Sequence, residues 1–246
     1  MTASRDAGSA SLAARLDPTR VADLLALRLS TPIHALNLVH FRDLNSYRLY
    51  GLLLAPYAAA RGARPLWAAV LQEPVLGSDP ADEVVIVSYP DQQVFMDILT
   101  SRYYSWVNHW RVKGVRRLRF GVTERTSGEI SLRAGGCWLA VQSDEPSLPE
   151  HIVRLAGPDL ELRYSSVVRS ALALFRTVEP GDPEPLAAPY FALMLDHSAG
   201  DARERLRAAA GELGRVFAGA ALHWYRTISP AEALPYCGAG KKRDVK

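Results

Sequence analysis

The chain has 246 residues and a net charge of +3, from 29 Lys and Arg against 26 Asp and Glu. That is enough chain for one large domain or two small ones, each with a real core, and too little charge for a protein that grips a phosphate backbone. At 48% hydrophobic and 22% charged residues, a disordered, collagen-like or disulfide-framework protein is excluded.

No apolar run reaches the ~18 residues of a membrane span, and the start, MTASRDAGSASLAARLDP, lacks an apolar signal core. The two cysteines, Cys137 and Cys237, show no metal-type spacing. A reduced, soluble, cytoplasmic protein is therefore expected.

Residues 1–31 read as a loose leader and a short helix, with Asp17 as N-cap and Pro18 in its first turn. Thr31-Pro32 opens a strand from His34 to Phe41. From Leu44 to Gly62, Leu44, Tyr47, Tyr50, Leu53, Leu54 and Tyr57 recur at three- and four-residue spacing, an amphipathic helix closed by Gly62. Strands over Leu66–Leu71 and Glu83–Tyr89 follow, separated by the turn Gly77-Ser78-Asp79-Pro80. Pro90-Asp91 then starts a second long helix, with Phe95, Leu99, Tyr103, Trp106 and Trp110 as one buried stripe ending at Gly114. A strand over Arg117–Thr123 completes β-α-β-β-α-β.

That order is the ferredoxin-like unit, an antiparallel sheet with both helices on one face and the other face bare. After Thr126-Ser127-Gly128-Glu129 the order can be read again. Strands fall at Cys137–Ser143, Val168–Val178, Tyr190–His197 and Leu222–Ile228, and helices at Ser147–Ala156 and Asp201–Ala220. The expectation is α+β: two tandem ferredoxin-like units, 32–125 and 126–237, followed by a flexible tail, 238–246. Their sheets can close on one another or on a second subunit, and a homodimer is expected.

The segment Pro32 to Phe41, Tyr47 and Tyr50, Val84 to Pro90 with Phe95, then Tyr103-Tyr104 and Arg111 resembles the domain-of-unknown-function thirteen-thirty family. The resemblance covers residues 32–125. It implies the dimeric α/β-barrel superfamily, whose members include cofactor-free monooxygenases and cyclases, lactone isomerases and haem enzymes. Fold alone does not choose among them.

Strand alternation puts His34, Leu36, Leu38 and His40 on one face of the first strand and Ala35, Asn37, Val39 and Phe41 on the other. Asn37 is either a register-pinning amide or a donor to a ligand in the barrel. In the last strand His223, Tyr225 and Thr227 share a face. A His and a Tyr two residues apart suit proton abstraction from an acidic carbon and stabilisation of the enolate, so His223 and Tyr225 are the expected catalytic pair. Trp138 and Gln142, from the neighbouring strand, would join their cavity, with Asn37, His40 and Arg119 as further substrate contacts.

No histidine spacing matches a metal site, so no metal is expected. The expected function is cofactor-free cyclisation, isomerisation or oxygenation of an enolisable aromatic or polyketide-like molecule, as in specialised biosynthesis. A haem enzyme with His197 or His151 as axial ligand is one alternative, and a non-catalytic small-ligand-binding protein is another. Nucleic-acid and membrane partners are not expected.

Overall fold

The computed structural model describes residues 15–131, 135–170, 183–186, 188–198, 200–229 and 232. The expected leader to residue 14, the tail 238–246, Cys237 and the end of the strand expected over 168–178 lie outside them.

In chain order the elements are α1 (Pro18–Ala26), β1 (Ile33–Phe41), α2 (Leu44–Ala59), β2 (Arg64–Leu76), β3 (Glu83–Tyr89), α3 (Gln92–Thr100), α4 (Arg102–Gly114) and β4 (Val115–Gly128). The second half adds β5 (Cys137–Ser143), α5 (Leu148–Ala156), β6 (Leu160–Ser170), β7 (Pro183–Pro185), β8 (Tyr190–Asp196), α6 (Asp201–Val216) and β9 (Ala221–Thr227). In the first half the sheet order is β4-β1-β3-β2, and in the second β9-β5-β8-β6, the same ferredoxin-like order twice.

The two sheets close on each other within the chain. β2 pairs with β9 over Ala69–Leu76 and β4 with β6 over Val122–Gly128, both antiparallel. Eight strands thus form a closed barrel of the dimeric α/β-barrel type, with the helices outside and no second subunit needed to complete the ring. Closure removes the unpaired strand edges that an open sheet would expose.

β7 is a short extra strand, parallel to β4 at Leu118–Phe120, where β6 has not yet joined. It delivers Leu186 into the interior beside Gly121, where a Cβ would come within 2.8 Å of Leu186 Cδ1. Glycine at 121 is what lets this plug seat.

Strand alternation divides the side chains into two sets. Leu36, Leu38, Trp67, Val84, Ile86, Trp138, Phe191, Leu193 and Tyr225 pack inside the barrel. The outward faces pack under helices, as two separate cores. One joins Ala35, Val39, Phe120 and Val122 to α1, α3 and α4; the other joins Leu139, Val141, Leu222 and Trp224 to α5 and α6.

The second long helix of the first half differs from expectation. It is two helices, because Ser101 ends α3 in an extended conformation (φ −67, ψ 148) and its side chain caps Tyr104 N at the start of α4. The break resets the helical phase. The buried face of α4 is Tyr104, Val107, Asn108 and Arg111, while Trp106, expected in the stripe, is 58% exposed.

Candidate functional site

The helix layer of the first half encloses a cavity of about 70 Å³. Asp43 caps α2 through Asn45 N (3.1 Å) and Ser46 N (3.3 Å), which sets the phase that turns Tyr47 and Tyr50 toward the sheet. The restart at Ser101 does the same for Tyr104 and Arg111 on α4. Gly114 lets the end of α4 close on α2, since a Cβ there would overlap the Tyr47 backbone. Tyr89 at the end of β3, Asn37 on β1 and an apolar wall of Phe95, Ile98, Leu99, Leu118 and Phe120 complete the lining with Pro183.

The wall is an aromatic lattice. Tyr50 meets Tyr104 edge-on with centroids 6.4 Å apart, and Phe95 stacks on Phe120 at 5.7 Å, arrangements favoured by the ring quadrupoles. Burial pushes the Tyr47, Tyr50 and Tyr89 hydroxyls well above the ordinary phenol range, so near neutral pH they are protonated donors. Arg111 is 2% exposed and its Nε donates to Asn108 Oδ1 at 2.7 Å, which fixes the guanidinium plane. Among the described residues, no carboxylate or imidazole lines the cavity.

Asn37 is thereby corrected: it lies on the helix side of β1 and not in the barrel. The reason is the strand period, which puts it with Ala35 and Val39 on the outward face. Its Nδ2 donates to Ala35 O (3.2 Å) and Val85 O (3.3 Å), tying β1 to β3.

By strand alternation His40, Arg119, Trp138, Gln142, His223 and Tyr225 all lie on the other side of the sheet, facing the barrel interior. Trp138 lies opposite Tyr225 and Gln142 opposite Ala221 in the β5–β9 register. His223 and Tyr225 are 2% and 1% exposed. The Tyr225 hydroxyl donates to Ala81 O at 3.0 Å and not to His223. Burial and the nearby Arg119 charge hold the His223 imidazole down at about 4, a weak base near neutral pH.

The barrel does contain a hydrogen-bonded His and Tyr, but a different one. His34 Nδ1 and the Tyr164 hydroxyl are 2.7 Å apart, both residues being buried, with rings stacked at 5.7 Å. They lie 130 residues apart, on strands of different halves, and no local spacing in the sequence could have announced them. For Tyr47, Tyr50, Tyr104 and Arg111 a signal existed, since the family resemblance rests on them. The unbroken-helix reading hid their convergence.

The two histidines considered for haem stand elsewhere. His197 is half exposed and pairs with Glu161 at 3.0 Å. His151 packs edge-on to Phe217 and meets Arg154 at 3.2 Å. Neither lines the cavity under α2–α4 nor a second one of about 190 Å³ beside Ser143 and Tyr190. Among the described residues, then, neither His197 nor His151 is placed to ligate haem in either of these cavities. Among the described residues, no helix is long and apolar enough to cross a membrane.

Fold and cavity together define a single-chain dimeric α/β barrel with a phenol-lined chamber under one helix layer. No protein-family model and no curated protein matches the chain. Among solved structures it is similar to a protein of unknown function from Rhodopseudomonas palustris, at 24% identity over 44% of this chain and 94% of that one, TM-score 0.40. It is also similar to an anthrone oxidase-like protein (11% identity, 81% and 92% covered, TM-score 0.45) and to a variant chlorite dismutase from Candidatus Nitrospira defluvii (12%, 88% and 98%, TM-score 0.44).

Proposed function

We propose that the protein is an enzyme that binds the reacting end of a small planar molecule beneath α2–α4 and stabilises negative charge on its oxygen. The observation that supports this is the lining: protonated phenols of Tyr47, Tyr50 and Tyr89, with Arg111, around one aromatic-walled cavity. Donors fixed in a dry site stabilise a developing oxyanion because they need not reorganise as charge appears.

Among the described residues the wall holds no carboxylate or imidazole, so the anion is assigned to the substrate's own acidity. That selects cyclic 1,3-dicarbonyls and phenols acidified by an electron-withdrawing substituent, whose anions form near neutral pH, unlike that of a simple phenol, which titrates at about 10. Isomerisation, cyclisation or oxygenation can all start from such an anion. A cavity of about 70 Å³ is smaller than the roughly 150 Å³ that holds benzene, so it takes a carbonyl or phenol edge and leaves the rest of the substrate outside it.

Titrating the protein with a series of phenols and cyclic 1,3-dicarbonyls tests this, following the ligand's ultraviolet spectrum and its consumption under air and under argon. The expected result is ionisation of the bound ligand at lower pH than free in solution. That shift should be diminished about tenfold in affinity, about 1.4 kcal/mol, by Tyr50→Phe and more strongly by Arg111→Lys. No spectral change with any ligand, or the same change in Arg111→Lys, would overturn the reading. The spectral shift with no ligand consumed under air or argon would identify a binding protein and overturn the enzymatic reading.

A further inference from the structure

One end of the barrel interior, which the proposed reaction does not use, carries a second cluster. His40 lies opposite Arg117 and Leu38 opposite Arg119 in the β1–β4 register, so His40 and Arg119 are diagonal neighbours, within reach for long side chains. His223 and Tyr225 come from β9. The Arg119 charge acts on His40, His223 and Tyr225 alike, which puts the guanidinium within electrostatic range of all three.

The turn between β2 and β3 folds over this end. Asp79 O accepts from Arg119 Nη2 at 3.0 Å, the Asp79 carboxylate pairs with Arg117 and lies 3.6 Å from His40 Nδ1, and Ala81 O holds the Tyr225 hydroxyl. Arg117 also bonds Glu184 at 2.7 Å.

Three buried polar atoms here have no hydrogen-bond partner among the described residues: His40 Nε2, Arg119 Nε and His223 Nδ1. His40 and His223 are only 1% and 2% exposed. An unmade hydrogen bond on a buried group costs about 1–3 kcal/mol, and native interiors carry few of them. Elsewhere in the same interior His34 and Tyr164 are bonded to each other.

The chemistry of the three atoms narrows what would complete them. A guanidinium Nε only donates. His40 Nδ1 faces the Asp79 carboxylate at 3.6 Å, an orientation that favours the proton on Nδ1 and so Nε2 as the acceptor. Arg119 therefore calls for an anionic oxygen and His40 for a hydroxyl, on one ligand. The approach is beside Asp79 and Arg117, whose side chains are 40% and 41% exposed.

We propose that this barrel end is a binding site for a small hydroxylated oxyanion of the hydrogen-phosphate class. Arg119 Nε donates to its charged oxygen, His40 Nε2 accepts from its hydroxyl, and His223 Nδ1 closes the third side.

The probe is inorganic phosphate, titrated calorimetrically into the full chain near neutral pH at constant ionic strength. One saturable site is expected. Arg119→Gln and His223→Phe should each weaken it about tenfold or more, with Arg119→Lys recovering part of the loss and Tyr50→Phe changing nothing. Sulfate, which carries no hydroxyl hydrogen at that pH, should bind about tenfold more weakly. Circular dichroism checks that each variant is folded, and a raised Tm of the unmodified protein in phosphate gives a readout that needs no variant.

Absence of saturation up to about 20 mM phosphate, far beyond a Kd of 1 mM, would overturn the site. Equal affinity in Arg119→Gln would do so too, and sulfate binding as tightly as phosphate would overturn the role given to His40. Because Arg119→Gln should leave the phenol and dicarbonyl titrations unchanged, failure here is distinguishable from failure of the chamber under α2–α4.

Discussion

In the first half of the barrel the sheet lies under α1 to α4 and in the second under α5 and α6, on the same strand order, yet the two layers are made of different material. Under α5 and α6 the packing is aliphatic: Leu139, Leu148, Ile152, Leu206, Leu213 and Leu222 are each 0% exposed around the indole of Trp224, and the cavity of about 190 Å³ beside Ser143 and Tyr190 lies at its edge. Under α2–α4 the packing is phenolic, braced by polar groups, and leaves a cavity. On the proposed function, a topology repeated in one chain separates two duties, with one layer serving as ballast and the other holding polar groups that a stability-driven core would exclude.

The largest test of that division is Trp224→Ala, which removes the centre of the aliphatic layer and should cost about 3–5 kcal/mol. Urea denaturation of this variant beside Tyr50→Phe should show the contrast, since loss of one phenol hydroxyl should cost no more than about 1.5 kcal/mol. Equal losses would mean that both layers carry stability alike.

Nearly as large is Glu83→Gln. Glu83 and Arg48 form a buried pair between β3 and α2, with Arg48 Nη1 donating to Glu83 Oε1 at 3.0 Å. Breaking one partner of such a pair costs about 3–5 kcal/mol. If the variant is no less stable in urea, the polar bracing assigned to this layer is wrong.

Acid should act on the interior that both halves share. Burial, with a nearby Arg charge, holds His34 and His223 down at about 4 from an ordinary 6.5. The unfolded chain therefore binds protons that the folded one refuses, and stability should fall as pH drops from about 6.5 to about 4, by up to roughly 3 kcal/mol per histidine. His34→Gln should flatten this slope, and an unchanged slope would show that other groups set it. A smaller effect is expected at the join between halves. Gly121→Ala drives a Cβ to 2.8 Å from Leu186 and 3.1 Å from Val168, an overpacking cost of about 1–3 kcal/mol visible as a lower urea midpoint.

What the sequence disclosed follows the range of the interactions involved. Strand alternation correctly put His223 and Tyr225 on one face, and the apolar spacing of α2 marked a helix carrying Tyr47 and Tyr50. These are local regularities. The break at Ser101 is a single backbone rotation that apolar spacing does not register, so Trp106 was placed inside when Tyr104 and Arg111 belong there. Alternation groups Asn37 with the right strand neighbours, but the expected donor to a ligand in the barrel turns out to face the helices, because which face becomes the lumen depends on how the sheets close. His34 with Tyr164 is a pairing made only by closure.

Closure within one chain has a consequence for how the barrel behaves on dilution. A barrel made of two subunits falls apart below its dissociation constant, and its melting point drifts with protein concentration. Here β2 meets β9 and β4 meets β6 as parts of a single polymer, so each sheet sees the other at an effective concentration set by the linking chain. The barrel is therefore expected to persist, with an unchanged melting point, at concentrations where a two-chain counterpart would be half dissociated.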